Sequence, residues 1–310
     1  MPIAQLSNDI DITYETLGDP AGEPILLIMG LGMQLISWPD SFCDGLIKQG
    51  FYLIRFDNRD SGLSTKLTQL GKPNIALALL KMAVRVPLKS GYSLDDMATD
   101  AIGLLDALKI KKAHILGVSM GGMIAQIVAA RHPERAISLT SIMSTSSRRG
   151  LPEGTKEARK ILFTPPPVDS GPEAVIDHLL NTTHVIGSRK EFLASDTELR
   201  QRLAKTVARG MFPQGTLRQL LAVGASGDRV ALLKTIRVPT LVIHGKIDPL
   251  MPVACGRETA QLIPYAVLKE IDGMGHDLAD GLNPHLTQLI GEHCHAASQL
   301  TMPIPLPQNG

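Results

Sequence analysis

Gly117-Val118-Ser119-Met120-Gly121 is the stretch on which the fold turns. It follows an apolar run, His114 to Val118, that reads as a strand. It opens a second run, Met120 to Arg131, that reads as an amphipathic helix closed by Pro133. A serine at so sharp a strand-to-helix turn is held in a crowded backbone conformation, and the glycines two residues away on each side, Gly117 and Gly121, leave room for it. The turn lifts the hydroxyl clear of the sheet and brings the first amides of the helix beside it. The pattern alone arises by chance in about one chain in seven of this composition; its place between a strand and a helix is what makes it informative.

Outward from this turn the same rhythm repeats. Ile10, Ile12 and Tyr14 alternate with polar residues as in a half-exposed strand. Ile25 to Met29 and Phe51 to Phe56 are continuous apolar runs, as in strands covered on both faces. Pro39 to Lys48 reads as a helix, and Ser93 caps another from Leu94 to Leu108. Ala136 to Met143, Thr240 to Ile243 and Ala266 to Ile271 read as further strands. Short strands alternating with helices predict an α/β fold, a mostly parallel sheet with helices on both faces. Between about Ser146 and Ile236 the rhythm gives way to helical patterns and breakers, which predicts an inserted helical cap. The expected division is therefore a first part of the core over 1–145, a cap over 146–235 and a second part of the core over 236–310, with an extended tail from about residue 300.

Composition excludes several classes. Thirty-one basic residues against 30 acidic give a net charge of +1, which leaves no electrostatic footprint for nucleic acid or an anionic membrane. The apolar fraction of 44% and charged fraction of 20% are those of a globular chain. The nine residues Ile25 to Met33 are too few to span a bilayer. Cys43, Cys255 and Cys294 are odd in number and widely spaced, so neither a disulfide framework nor a zinc site is expected. The first residues lack the basic segment and apolar core of a secretory signal. A cytoplasmic protein, monomeric or homodimeric, is the expectation.

A serine hydroxyl becomes a useful nucleophile when a histidine removes its proton and an acid fixes the histidine's tautomer. In a sheet of this kind the partners follow in the order Ser, Asp or Glu, His, each just past a strand end. Asp248, after the strand ending near His244, and His276, after the next strand, meet both conditions with Ser119. Asp272 and Asp277 are rivals by proximity, but a neighbour in the same loop rarely reaches the imidazole correctly. His244 reads as structural, and His293-Cys294-His295 as no metal cluster, because residues i and i+2 do not share a helix face. Two backbone N–H groups are expected to receive a developing oxyanion: Met120, after the nucleophile, and Leu31, in Gly30-Leu31-Gly32-Met33 after the second strand. Gly30 and Gly32 let that loop approach a substrate. The loop is not a dinucleotide fingerprint, since Leu35 stands where the third glycine belongs.

From about Ile10 to Leu289 the chain resembles the α/β-hydrolase family. Besides the serine turn, Asp57-Asn58-Arg59-Asp60-Ser61-Gly62-Leu63-Ser64 is similar to the family's D-x-R-G-x-G-x-S turn, and His132-Pro133-Glu134-Arg135 to its H-P-E-R helix end. Met29-Gly30 in place of His-Gly, Asp60 in place of glycine, and Trp38-Pro39-Asp40 resemble the subgroup of aclacinomycin methylesterase. The resemblance implies an eight-stranded α/β-hydrolase sheet and a carboxylic-ester hydrolase that forms an acyl-enzyme on Ser119, with no metal or organic cofactor and a small-molecule ester as its partner. Lactonase, thioesterase and cofactor-free haloperoxidase chemistry on the same three residues, or a non-catalytic ligand-binding scaffold, are the alternatives. Serine at 119 argues against the aspartate-nucleophile branches. Apolar cap residues expected to line a pocket are Leu162, Phe163, Leu180, Val185, Met211 and Phe212.

Overall fold

A computed structural model describes residues 1–83 and 86–301. The strands are β1 (Ile3–Gln5), β2 (Asp11–Leu17), β3 (Glu23–Ile28), β4 (Phe51–Phe56), β5 (Ala113–Val118), β6 (Ala136–Ile142), β7 (Thr240–Gly245) and β8 (Val267–Ile271). The helices are α1 (Asp40–Ile47), α2 (Ile75–Ala83), α3 (Leu94–Ala107), α4 (Met120–Arg131), α5 (Lys156–Phe163), α6 (Pro172–Ile186), α7 (Asp196–Arg209), α8 (Pro213–Ala225), α9 (Val230–Leu233), α10 (Ala254–Leu262) and α11 (Asn283–Thr301). The strands of the described residues form one sheet in the order β1-β2-β4-β3-β5-β6-β7-β8. Only the pairings of β2 with β1 and β4 are antiparallel. The remaining pairs are parallel, so the ends of β3 to β8 reach one edge together.

Successive side chains of a strand point to opposite faces, and here both faces are covered. Leu26 and Ile28 of β3 pack with Ile115, Leu139 and the apolar sides of α3 and α4. Ile25 and Leu27, one residue out of step, pack with Leu116, Ile142 and Ile243 against Phe42 and Leu46 of α1 and Leu286 and Ile290 of α11. That is why these strands are apolar without alternation, while β2 alternates. Helix α3 begins on a capping box in which Ser93 and Asp96 exchange hydrogen bonds. Helix α11 runs to Thr301 and packs on the sheet through Leu286, Ile290 and Cys294. Residues 302–310 lie outside the described residues.

Helices α5 to α9 all lie between β6 and β7. Two buried ion pairs fasten them to the turn after β4. Arg209 Nη2 lies 2.7 Å from Asp57 Oδ2, and Arg218 grips Asp60 with both Nε and Nη2, at 2.8 and 2.7 Å. Asp60 also accepts from the Leu67 amide and the Tyr92 hydroxyl. Burial pushes the Asp60 carboxyl up, but Arg218 and these donors outweigh it and hold it below the usual carboxylate range.

A carboxyl held low in the folded state contributes stability above its unfolded value, near about 4, and that stability is lost as pH falls through the folded value. Asp60→Asn should therefore be less stable than wild type by about 3–5 kcal/mol at pH 7, because Arg218 is left buried without a counterion. The gap should shrink as pH falls from 5 to 3. Urea unfolding of both proteins across that range tests this, and a gap independent of pH would refute it.

Candidate active site

Ser119 lies between β5 and α4 with φ 54° and ψ −120°, a conformation unusual for a residue bearing a side chain. The surrounding contacts show why its neighbours are glycines. A Cβ on Gly117 would lie 2.1 Å from the Gly121 carbonyl oxygen, and one on Gly121 would lie 2.0 Å from the Ile28 carbonyl oxygen. The serine backbone is tied to β6 by its N–H, which donates to Ile142 O at 3.0 Å, and by Ser144, whose hydroxyl donates to Ser119 O at 2.8 Å. Met120 is the first residue of α4, so its N–H has no carbonyl within the helix to bond.

The loops after β7 and β8 bring two side chains to the serine. His276 Nε2 lies 2.9 Å from Ser119 Oγ, and His276 Nδ1 lies 2.7 Å from Asp248 Oδ2. Asp248 is buried. Its other oxygen accepts from the Leu250 and Met251 amides at 2.9 and 2.8 Å, which fixes the carboxylate plane. A carboxylate beside Nδ1 accepts a hydrogen bond from Nδ1–H, which keeps the proton on that nitrogen and leaves the Nε2 lone pair aimed at the serine hydroxyl.

The neighbouring titratable groups are occupied elsewhere. Asp277 is held by the N–H and hydroxyl of Ser188, and burial pushes its carboxyl up. Asp272 pairs with Lys246 at the surface. His244 donates from Nε2 to Met251 O at 2.7 Å, and burial lowers its proton affinity, so it stands as a neutral prop beneath Asp248. Burial raises Cys43 to about 11 and Cys294 to about 12 and pushes Cys255 up, so no described thiol competes as a nucleophile near neutral pH. His295 stacks on Phe51 with centroids 4.6 Å apart, whereas Cys294 faces Ser138.

Across the serine lies the loop Gly30–Met33. A Cβ on Gly30 would stand 3.4 Å from Ser119 Cβ, and Gly32 has φ +66°. Within this turn Gly32 N–H donates to Gln219 Oε1 at 2.8 Å and Met33 N–H to Gly30 O at 3.3 Å. Among the described residues the Leu31 N–H has no partner. The helices between β6 and β7 also touch the His276 loop: His276 N–H donates to Ile186 O at 2.7 Å, and Arg189 N–H to Gly273 O at 2.8 Å.

Sequence reasoning missed Ser144, Ser188, Gln219 and the Ile186 carbonyl. Each acts through contacts with residues distant in sequence, and none belongs to a recognisable motif. The residues expected to line a pocket part company. Phe163 lines a groove of about 470 Å³ with Lys72, Ile75 and Leu217. Leu180 is buried in α6, and Phe212 lies flat over the Arg218 guanidinium, 5.2 Å away.

Residues 23–280 match the α/β hydrolase fold family, and the chain belongs to it. It is 28% identical to rhodomycin D methylesterase of Streptomyces peucetius, over 96% of this chain and 100% of that protein. It is 24% identical to 3-oxoadipate enol-lactonase 2 of Acinetobacter baylyi, over 86% of each. A solved meta-cleavage product hydrolase from Pseudomonas fluorescens IP01 superimposes with a TM-score of 0.73 at 21% identity, over 96% of this chain and 98% of that one.

Gly121→Ala should lower stability by several kcal/mol or prevent folding, since the added methyl meets backbone of β3 and backbone cannot step aside. Gly150→Ala serves as the control: unlike Gly121 it lies at positive φ, so it reports backbone strain alone, and its added methyl meets nothing within 4 Å. Thermal unfolding of the two variants decides it; equal losses would show that the close approach to Ile28 is not what requires glycine.

Proposed function

We propose that this chain is a carboxylic-ester hydrolase of the methylesterase or carboxylesterase type, working through an acyl-enzyme on Ser119. The observation that carries the reading is the unbroken hydrogen-bonded series Ser119–His276–Asp248, contributed by three separate strand ends. His276 takes the serine proton as Oγ attacks the ester carbonyl. The oxyanion formed is received by the N–H groups of Met120 and Leu31. Asp248 stabilises the imidazolium, which then protonates the departing alcohol. Water, deprotonated by His276, attacks the acyl-enzyme, and the carboxylic acid and free Ser119 result. Every step is a proton or acyl transfer among these groups, so the scheme calls on no metal or organic cofactor.

The methylesterase relative, similar over nearly the whole of both chains, supports an ester of small alcohol and bulky acid. A lactone is an internal ester, and the enol-lactonase relative favours ring opening by the same steps as the second reading. The helices over 146–235 form a cap in this scheme, and the groove beside Phe163 and Leu217, whose lining includes none of Ser119, Asp248 and His276, is assigned to a part of the substrate remote from the ester. A small-molecule substrate and a cytoplasmic setting go with the three separate buried thiols.

Ser119→Ala should lower kcat on p-nitrophenyl acetate by about 10⁴-fold or more, and Asp248→Asn by about 10²–10⁴-fold, with melting temperatures close to wild type. Asp277→Asn should retain far more activity than Asp248→Asn. Steady-state kinetics of the three purified variants test the assignment, and a Ser119→Ala loss below tenfold would sink it. Phe163→Ala and Leu217→Ala should shift kcat/KM across p-nitrophenyl esters of increasing acyl length while leaving acetate hydrolysis unchanged. Wild-type preference in both would place the substrate elsewhere.

A further inference from the structure

Gln219, on α8, is a fully buried amide 187 residues from Gly32 in sequence, yet both its ends are spent on one task. Oε1 accepts the Gly32 N–H at 2.8 Å, and Nε2 donates to Arg59 O at 2.7 Å. The Arg59 carbonyl is a fixed point, because its side chain is locked to buried Asp100 by two 2.6 Å bonds. The residue before Gln219 is Arg218, clamped on Asp60. Thr216, one turn earlier, fills the space against Gly32, where a Cβ would come within 2.6 Å of its hydroxyl oxygen. One turn of α8 is thus bolted to the β4 turn and pressed on the Gly30–Met33 loop.

We infer that Gln219 is a positioning residue that sets the oxyanion-binding conformation of the Gly30–Met33 loop. An N–H group stabilises an oxyanion only when it is already aimed at it, and a shift of about 1 Å is enough to cost on the order of 10²-fold in rate. A loop with glycines at positions 30 and 32 has little stiffness of its own. Its Gly32 amide is consumed by Gln219, and the Leu31 N–H is the amide left to serve the oxyanion. Helix α8 therefore belongs to the reactive centre as well as to the cover over it. If α8 lifts away, the loop loses the acceptor that orients it.

The inference rests on the serine-hydrolase reading, so Ser119→Ala is measured alongside; activity surviving in that variant overturns the reading itself. The test uses the full chain with Gln219→Leu and Gln219→Glu, comparing kcat, KM, melting temperature and the Ki of a trifluoromethyl ketone, which forms a tetrahedral adduct on the serine. In Gln219→Leu, kcat should fall about 10- to 100-fold and the ketone should bind weaker by a similar factor, with KM changed less than about threefold. Gln219→Glu supplies a carboxylic acid that, when protonated, makes both bonds, and when ionised cannot donate to Arg59 O. Its kcat relative to wild type should therefore fall as pH rises. This variant carries the test alone if the leucine variant does not fold. Folded variants with unchanged kcat and Ki, or a fall in kcat without weaker ketone binding, would overturn the proposal while leaving the Ser119 assignment in place. A ratio of Gln219→Glu to wild type that is flat in pH would do the same.

Discussion

The approach of α4 to the end of β3, with no room for a single methyl group between Gly121 and the Ile28 carbonyl, is the constraint on which the rest depends. Because the helix starts that close to the sheet, the chain must reverse within one residue, and Ser119 takes the positive φ that the reversal demands. The strain, about 1–3 kcal/mol for such a conformation, is offset by the packing of α4, whose residues from Met120 to Ala129 are all buried. A serine held this way has its hydroxyl outside the sheet and its carbonyl and amide fixed by β6. The histidine and the acid need only arrive from β7 and β8, whose parallel register brings them to the same edge.

Those loops do not hold themselves. The His276 loop leans on the Ile186 carbonyl and on Ser188, which bridges Asp277 and the Gly275 amide. The Gly30–Met33 loop leans on Gln219 and, through the Ser61 hydroxyl on Met33 O, on the β4 turn. Both sets of contacts come largely from the segment between β6 and β7, so that insertion shapes the site. A loop whose backbone polar groups are satisfied by a second segment is ordered only while that segment is docked. Precision at the serine is in this way coupled to the seating of α6 and α8.

The parts legible in the sequence were those governed by local rules. The turn at Ser119 is written in two glycines, the buried strands in continuous apolar runs, and the order of Ser119, Asp248 and His276 in strand ends. The run of helices between β6 and β7 is readable as a change of rhythm. What could not be read is non-local. Gln219 looks like any helical glutamine, and its value depends on the Gly32 amide 187 residues away. Phe212 reads as a pocket residue by hydrophobicity, but a guanidinium lies against its ring, and no pattern in the sequence pairs Arg218 with Asp60. The seating of α11 on the sheet through Leu286, Ile290 and Cys294 is likewise a contact between segments far apart in the chain.

The departure at Asp60 shows how such non-local pairs explain an unusual residue. Where the family turn that this segment resembles has glycine, this chain has an aspartate with φ 65°. Glycine would remove the strain of a left-handed residue, about 1–3 kcal/mol at most for a non-glycine and less for aspartate, which tolerates that region better than most. It would also leave Arg218 buried without its counterion, a loss of about 3–5 kcal/mol when one partner of such a pair is removed. The second figure is the larger, so Asp60 and Arg218 stabilise this fold as a pair and neither does so alone. The side effect is mechanical. The carboxylate that accepts Arg218, Leu67 and Tyr92 at once makes the β4 turn rigid, and a rigid turn is what Gln219 needs at its Arg59 end if it is to hold the Gly32 amide at the other.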